Sequence, residues 1–162
     1  MGALKLVKAT HPLLKKHIKQ VETFDQQLKD YLADLEDTLY QEGGQAIAAP
    51  QVGIDQQIAI VDMGPDGLLQ LINPDIVATS DETQEDVEGS ISQPDVFGIV
   101  ERPQMIKVKS FDVNGREVEL NAYDDIARMI LHVCDHFNGI LFTDKMKREI
   151  TEEELEALLE DE

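Results

Sequence analysis

His132 and His136 stand four residues apart in Leu131-His132-Val133-Cys134-Asp135-His136-Phe137-Asn138-Gly139. On an α-helix this spacing sets two imidazoles about 40° apart around the axis and one turn apart along it, so both can reach one metal ion. Metal-activated hydrolysis is the chemistry such a pair could serve. Alone the spacing is a weak signal. The chain has four histidines, and a pair at i,i+4 also fits two polar residues flanking a core helix.

A helical wheel over 126–137 places Ile126, Ile130, Val133, Cys134 and Phe137 on one apolar arc, with His132 and His136 together at its edge. Half-buried imidazoles follow from that position. Asn121 or Asp124 can cap the start of this helix, and Asn138-Gly139 reads as its stop.

Two other segments are informative in the same order along the chain. These are Gly44-Gln45-Ala46-Ile47-Ala48-Ala49-Pro50-Gln51-Val52-Gly53 and Glu88-Gly89-Ser90-Ile91-Ser92. With the histidine segment, they resemble the three motifs of the peptide deformylases, GxGxAAxQ, EGCxS and HExxH with a following glycine. Thr10-His11-Pro12-Leu13-Leu14 resembles the family's opening, so the likeness spans nearly the whole chain. The resemblance implies a cytosolic enzyme that removes the formyl group from the starting methionine of new polypeptides. Its metal, Fe²⁺ or a substitute such as Zn²⁺ or Ni²⁺, would be held by one cysteine and two histidines. Carried over by residue, His132 and His136 match the ligands, Gln51 and the backbone N–H of Ile91 match the oxyanion donors, and Arg102 matches an arginine that helps to position substrate. Gly44 and Glu88 fall among the family's substrate-pocket residues.

The departures lie at the chemistry. Position 90 is Ser where the family has the cysteine ligand, and a neutral hydroxyl supplies neither the charge nor the soft-donor affinity of a thiolate. Position 133 is Val where the family has the glutamate that shuttles the proton. General acid-base catalysis is worth about 10²- to 10⁴-fold, and an aliphatic side chain cannot perform it. Ala46 replaces the second glycine of motif one, a smaller change. Cys134 lies about 200° around the helix from His132, which aims its sulfur away from the pair. Glu88 is nearer and offers a carboxylate as ligand or base. The expected cofactor is therefore one divalent metal (Fe, Zn or Ni) held at low affinity by His132, His136 and a poor third ligand, Ser90, or none.

The pocket departs as well. Positions 125, 128 and 129 precede His132 on its helix and are Asp125, Arg128 and Met129, with Gln45 and Asp86 nearby, where the family is largely aliphatic. Burying a methionine against these charges costs desolvation. The blander reading is a solvated i,i+3 pair of Asp125 with Arg128.

Length and composition, 162 residues with 42% hydrophobic content, fit one domain over 1–162. No apolar run reaches the roughly 18 residues of a membrane span, and the start lacks a signal-peptide core, so a cytoplasmic protein with no membrane partner is expected. A single cysteine agrees with a reducing compartment. The formal charge of −19 gives a field of the wrong sign for nucleic acid. The tail from Thr151 to Glu162 reads as a short acidic amphipathic helix, with a Thr151–Glu154 capping box and Leu155, Leu158 and Leu159 packing on the body; ribosome docking is not expected from it.

Leu28, Tyr31, Leu32, Leu35 and Leu39 predict a helix from Phe24 to Tyr40 that ends at Gly43-Gly44. Residues 57–61, 68–72 and 106–111 read as strands, Asn114-Gly115 as a two-residue hairpin turn, and the acidic stretch from Asp81 to Glu88 as an exposed loop or edge. The sum is an α+β, peptide-deformylase-like fold, with antiparallel strands around the helix that carries the histidines. The leading functional expectation is a deformylase-like protein without efficient catalysis that binds an N-terminal peptide or a small amide. Two others stay open: an active metal-dependent amide hydrolase with an unusual ligand set, and a non-enzymatic interaction module.

Overall fold

A computed structural model describes residues 2–160. Its elements follow the order α1 (Gln26–Glu42), β1 (Ala46–Ala48), β2 (Ile58–Asp62), β3 (Leu68–Ile72), β4 (Asp75–Thr79), β5 (Thr83–Ser90), β6 (Gln93–Pro103), β7 (Met105–Phe111), β8 (Glu117–Tyr123), α2 (Asp124–Phe137), α3 (Phe142–Lys145), β9 (Arg148–Glu149) and α4 (Glu152–Glu160), with short 3-10 turns at Pro12–Lys15, Ala49–Val52 and Gly64–Asp66. The strands form three antiparallel sheets, β1-β2-β3, β4-β7-β8 and β5-β6-β9. The α+β expectation holds.

The first sheet is covered on both faces, which explains why β2 is apolar at successive positions rather than alternating. Ile58 and Ile60 turn to α1, where they meet Leu28, Leu32, Leu35 and Leu39. Ala59 and Val61 turn the other way, to Ala127, Ile130, Val133, Cys134 and Phe137 of α2. Alanine at 48 and 59 keeps that second face low, so α2 lies close to the sheet. Ser110 of β7 joins the second sheet to the first by accepting from the Ile72 N–H at 2.9 Å and donating to the Ile72 carbonyl at 3.0 Å.

Helix ends follow local chemistry in part. Asp25 caps α1 by accepting from the Leu28 N–H, and Gly43 closes it in the left-handed region. Neither Asn121 nor Asp124 caps α2. Asn121 lies within β8, Tyr123 holds the cap position without a side-chain bond, and Asp124 itself has φ +50°. The helix starts directly from the strand, with Asp124 N–H donating to the Gln104 carbonyl at 2.8 Å. Asn138 and Gly139 do end it, Gly139 at φ +73°.

The hairpin at Asn114-Gly115 is wider than two residues. Asp112 N–H donates to the Arg116 carbonyl, while the Asp112 carboxylate accepts from the N–H groups of Asn114 and Arg116. An acceptor that close rewards a longer turn, with Gly115 at φ +82°. The acidic stretch from Asp81 is an edge strand, not a loop: β5 pairs with β6 from Thr83 to Ser90. The capping box of α4 forms, with Glu154 N–H donating to Thr151 Oγ1 at 3.1 Å. Its leucines do not all pack as expected. Leu158 is 46% exposed, Leu155 is half-buried, and the side chain of Leu159 lies outside the described residues, as do Asp161 and Glu162.

The amino-terminal segment crosses the end of α2, where Ile18 N–H donates to the Phe137 carbonyl at 2.8 Å. A Cβ on Gly139 would lie 2.7 Å from the Lys15 carbonyl carbon. Both φ and space therefore require glycine there. Gly139→Ala is expected to cost about 2–4 kcal/mol, from the left-handed conformation plus a backbone clash. Gly115→Ala, where the nearest atom is 3.5 Å away, should cost only about 1 kcal/mol; urea unfolding of both variants checks the difference.

Candidate functional site

One face of α2, the end of β5 with the start of β6, and residues 42–46 between α1 and β1 meet at a cleft of about 460 Å³. Gly44, Gln45, Glu88, Ser90, Ile91, Arg128, Met129 and His132 line it, with Val87, Pro94 and Phe97 among its apolar walls. Gly44 is required by closeness, since a Cβ there would come within 2.8 Å of Ile91 Cγ2.

Glu88 is the hub of the site. Arg102 donates to it through Nε, to Oε2 at 2.5 Å, and through Nη2, to Oε1 at 2.8 Å. Arg128 Nη1 adds a bond to Oε2 at 2.6 Å, and His132 Nδ1 lies 3.1 Å from Oε1. Burial pushes this carboxyl up, but Arg102, and after it His132, outweigh that effect and bring it down to about 2. An ionised Glu88 makes His132 Nδ1 the donor, which leaves Nε2 as the ring nitrogen not engaged by Glu88. With two donors on each oxygen, the carboxylate has its roughly four lone-pair sites filled. Glu88 is therefore engaged as an organiser, with no lone pair left over for a ligand or a substrate.

His136 is the contrasting member. It is 1% exposed, and neither ring nitrogen has a hydrogen-bond partner among the described residues. Burial, with His132 and Arg102 nearby, pushes its pKa down to about 3, so the ring is neutral. The two imidazoles stand edge to face, 5.2 Å between centroids. The pair is brought together as its spacing predicts, but His136 is buried outright rather than half-buried.

Around Ser90 the polar atoms answer one another. Ser90 Oγ accepts from the Ser92 N–H at 3.2 Å and, more weakly, from Gln51 Nε2 at 3.4 Å. Gln51 Nε2 also donates to Ser92 Oγ at 2.8 Å, while its Oε1 accepts from the Ala48 N–H. Both amide hydrogens of Gln51 are thus directed at serines. Val133, between the histidines, is fully buried in the core against the first sheet.

Other expected residues fall elsewhere. Arg102 is 3% exposed behind the cleft wall, shared between Glu88 and Asp135, whose second oxygen takes Lys145 at 3.1 Å. It does not line the cleft and is joined to it through Glu88. Asp125 and Asp86 are exposed and outside the cleft. Arg128 does not form the rim pair with Asp125, because its partners are Glu88 and the carbonyls of Val100 and Gln84. Cys134 lines a different hollow, with Asn73 and Asp75, and burial pushes its thiol up to about 12. Ser92, Pro94 and Phe97 went unforeseen; Ser92 carried the only signal, as the last residue of its motif.

Acid should unfold the chelator-treated protein in two stages. His136 stays neutral in the fold, while the unfolded imidazole gains a proton below its ordinary 6.5, so stability is present above 6.5 and is lost as pH falls toward about 3. Glu88 adds to the loss below 4.5, since its folded carboxyl resists protonation down to about 2. Urea unfolding between pH 7 and 5 should show a slope approaching about 1.4 kcal/mol per pH unit that His136→Gln abolishes; an unchanged slope would assign the effect to other groups.

Relatives of known family share this architecture. The Polypeptide deformylase model matches residues 3–152. A peptide deformylase-like protein of Staphylococcus epidermidis is 56% identical over 162 residues, all of both chains. A peptide deformylase of Caldicellulosiruptor bescii is 44% identical over 144 residues, 89% of this chain and 86% of its own. The crystal structure of the Thermotoga maritima peptide deformylase superposes with a TM-score of 0.88 at 35% identity, covering 91% of this chain and all of that one. With His132 and Ser90 at one cleft, His136 5.2 Å from His132 between ring centroids and Gln51 bonded to Ser90 and Ser92, and with these matches over nearly the whole length, the chain belongs to the peptide deformylase family.

Proposed function

We propose that this chain binds peptide N-termini, or small amides of similar shape, in the cleft beside His132 and does not hydrolyse them efficiently. The observation that carries the proposal is Val133. It sits between the two histidines, fully buried among Ala48, Ala59 and Ile130, where a proton carrier would be needed. Glu88 does not replace it, with four donors already on its carboxylate. Gln51, the matching oxyanion donor, directs both amide hydrogens at Ser90 and Ser92.

The family is metal-dependent, and the donors fit a metal only in part. His136, buried with two unpartnered nitrogens, and the Nε2 of His132 suit a divalent ion. A third donor is missing: among the described residues no three His, Cys, Asp or Glu side chains stand close enough to hold one. Ser90 offers a neutral oxygen that already accepts two hydrogen bonds. This donor set does not fit a three-ligand hydrolytic centre. The second reading, a hydrolase with an unusual ligand set, draws its support from these two histidines alone.

Formyl-Met-Ala-Ser turnover separates the two. Protein loaded anaerobically with Fe²⁺, Ni²⁺ or Zn²⁺ should be slower than the Caldicellulosiruptor bescii enzyme by at least about 10²-fold, the loss expected without an acid-base group. Turnover within that margin would make the protein an enzyme and defeat the proposal. The Ser90→Cys/Val133→Glu variant, checked for folding by circular dichroism, should gain activity. A chelator should leave the melting temperature of the unmodified protein unchanged, because an ion that binds only the folded state would raise it.

A further inference from the structure

Arg128 is 8% exposed, yet it lines the cleft. Its guanidinium bonds α2 to β5 and β6. Nη1 donates to Glu88 Oε2 at 2.6 Å and to the Val100 carbonyl at 2.8 Å, and Nη2 donates to the Gln84 carbonyl at 2.8 Å. An arginine has five N–H groups. Three are engaged in this way, so Nε–H and one hydrogen of Nη2 are left without a partner among the described residues. A side chain anchored at three points holds its place in the cleft lining, and Nε is not among the buried unpartnered atoms, so water meets it there.

No neighbour is bonded to these hydrogens among the described residues. Glu88 is filled by Arg102, Arg128 and His132, and the nearby walls of Val87, Ile91, Phe97 and Met129 carry no strong acceptor. A long apolar side chain entering the cleft would strip water from the two N–H groups and return no bond. An anionic one would find Arg128 already paired with Glu88, Glu42 on the cleft wall, and a chain of formal charge −19.

Resting on the reading of the cleft as a peptide site, we infer that Arg128 sets its selectivity, so that the cleft takes a first residue with a neutral side chain carrying an oxygen acceptor, an amide or a hydroxyl, in preference to methionine. The residue acts by supplying donors to the ligand and by removing depth that a thioether would fill.

The test is a binding panel of N-formylated X-Ala-Ser peptides, with X as Gln, Ser, Met or Glu, titrated by calorimetry into the unmodified protein and into Arg128→Ile. Unmodified protein should bind the Gln or Ser peptide at least about tenfold more tightly than the Met peptide, the scale of one unmet hydrogen bond. Arg128→Ile should reverse that order, and the guanidinium Nε–H resonance absent from its spectrum should be the one that moves when the Gln peptide binds. Equal or tighter binding of the Met peptide by the unmodified protein overturns the inference while leaving the cleft a peptide site. Binding of none of the peptides by the unmodified protein overturns both. The panel on unmodified protein decides the matter even if Arg128→Ile does not fold.

Discussion

One buried carboxylate holds this site in shape. Glu88 is 6% exposed and has to be charged for Arg102, Arg128 and His132 to converge on it; an ionised carboxylate removed from water is tolerable only when its lone pairs are met. Each partner comes from a different place: Arg102 from β6, Arg128 and His132 from successive turns of α2. The cluster therefore fixes the helix against the β5-β6 sheet, and it orients one imidazole as it does so. Removing one arginine would leave the others to carry a charge that they now share.

Beneath that cluster the helix has a second constraint, its close approach to the first sheet. Alanines on β1 and β2 set that distance, and Val133 fills the space beside them. Val133, fully buried there, is well suited to the core whatever the chemistry of the site.

Much of this was legible in the chain. The α1 helix, the β3 strand and the closing of α2 at Asn138-Gly139 follow from periodicity and from glycine, because in each case the local signal and the tertiary demand agree. The pairing of His132 with His136 and the isolation of Cys134 follow from helical angles alone. What stayed hidden depended on partners remote in sequence. Arg128 reads as a solvated neighbour of Asp125 until β5 is seen to be a strand that brings Glu88 and the Gln84 carbonyl to it. That strand was itself obscured because Thr83 to Asp86 are exposed edge residues with no buried face to leave a pattern. Tyr123 at the cap of α2 escaped notice for the opposite reason: the strand before it delivers the helix start directly, and no capping side chain is needed.

The crossing of the amino-terminal segment over the end of α2 has a consequence for how the chain is made. Ile18 is bonded to Phe137 and Lys15 lies against Gly139, so these two residues have partners more than a hundred positions later in the chain. Loop closure over such a separation must precede the contacts that reward it. The contacts of Lys15 and Ile18 thus wait until α2 has formed, whereas Leu4, Val7 and Lys19 already have partners in Thr38, Gln51 and Gln57.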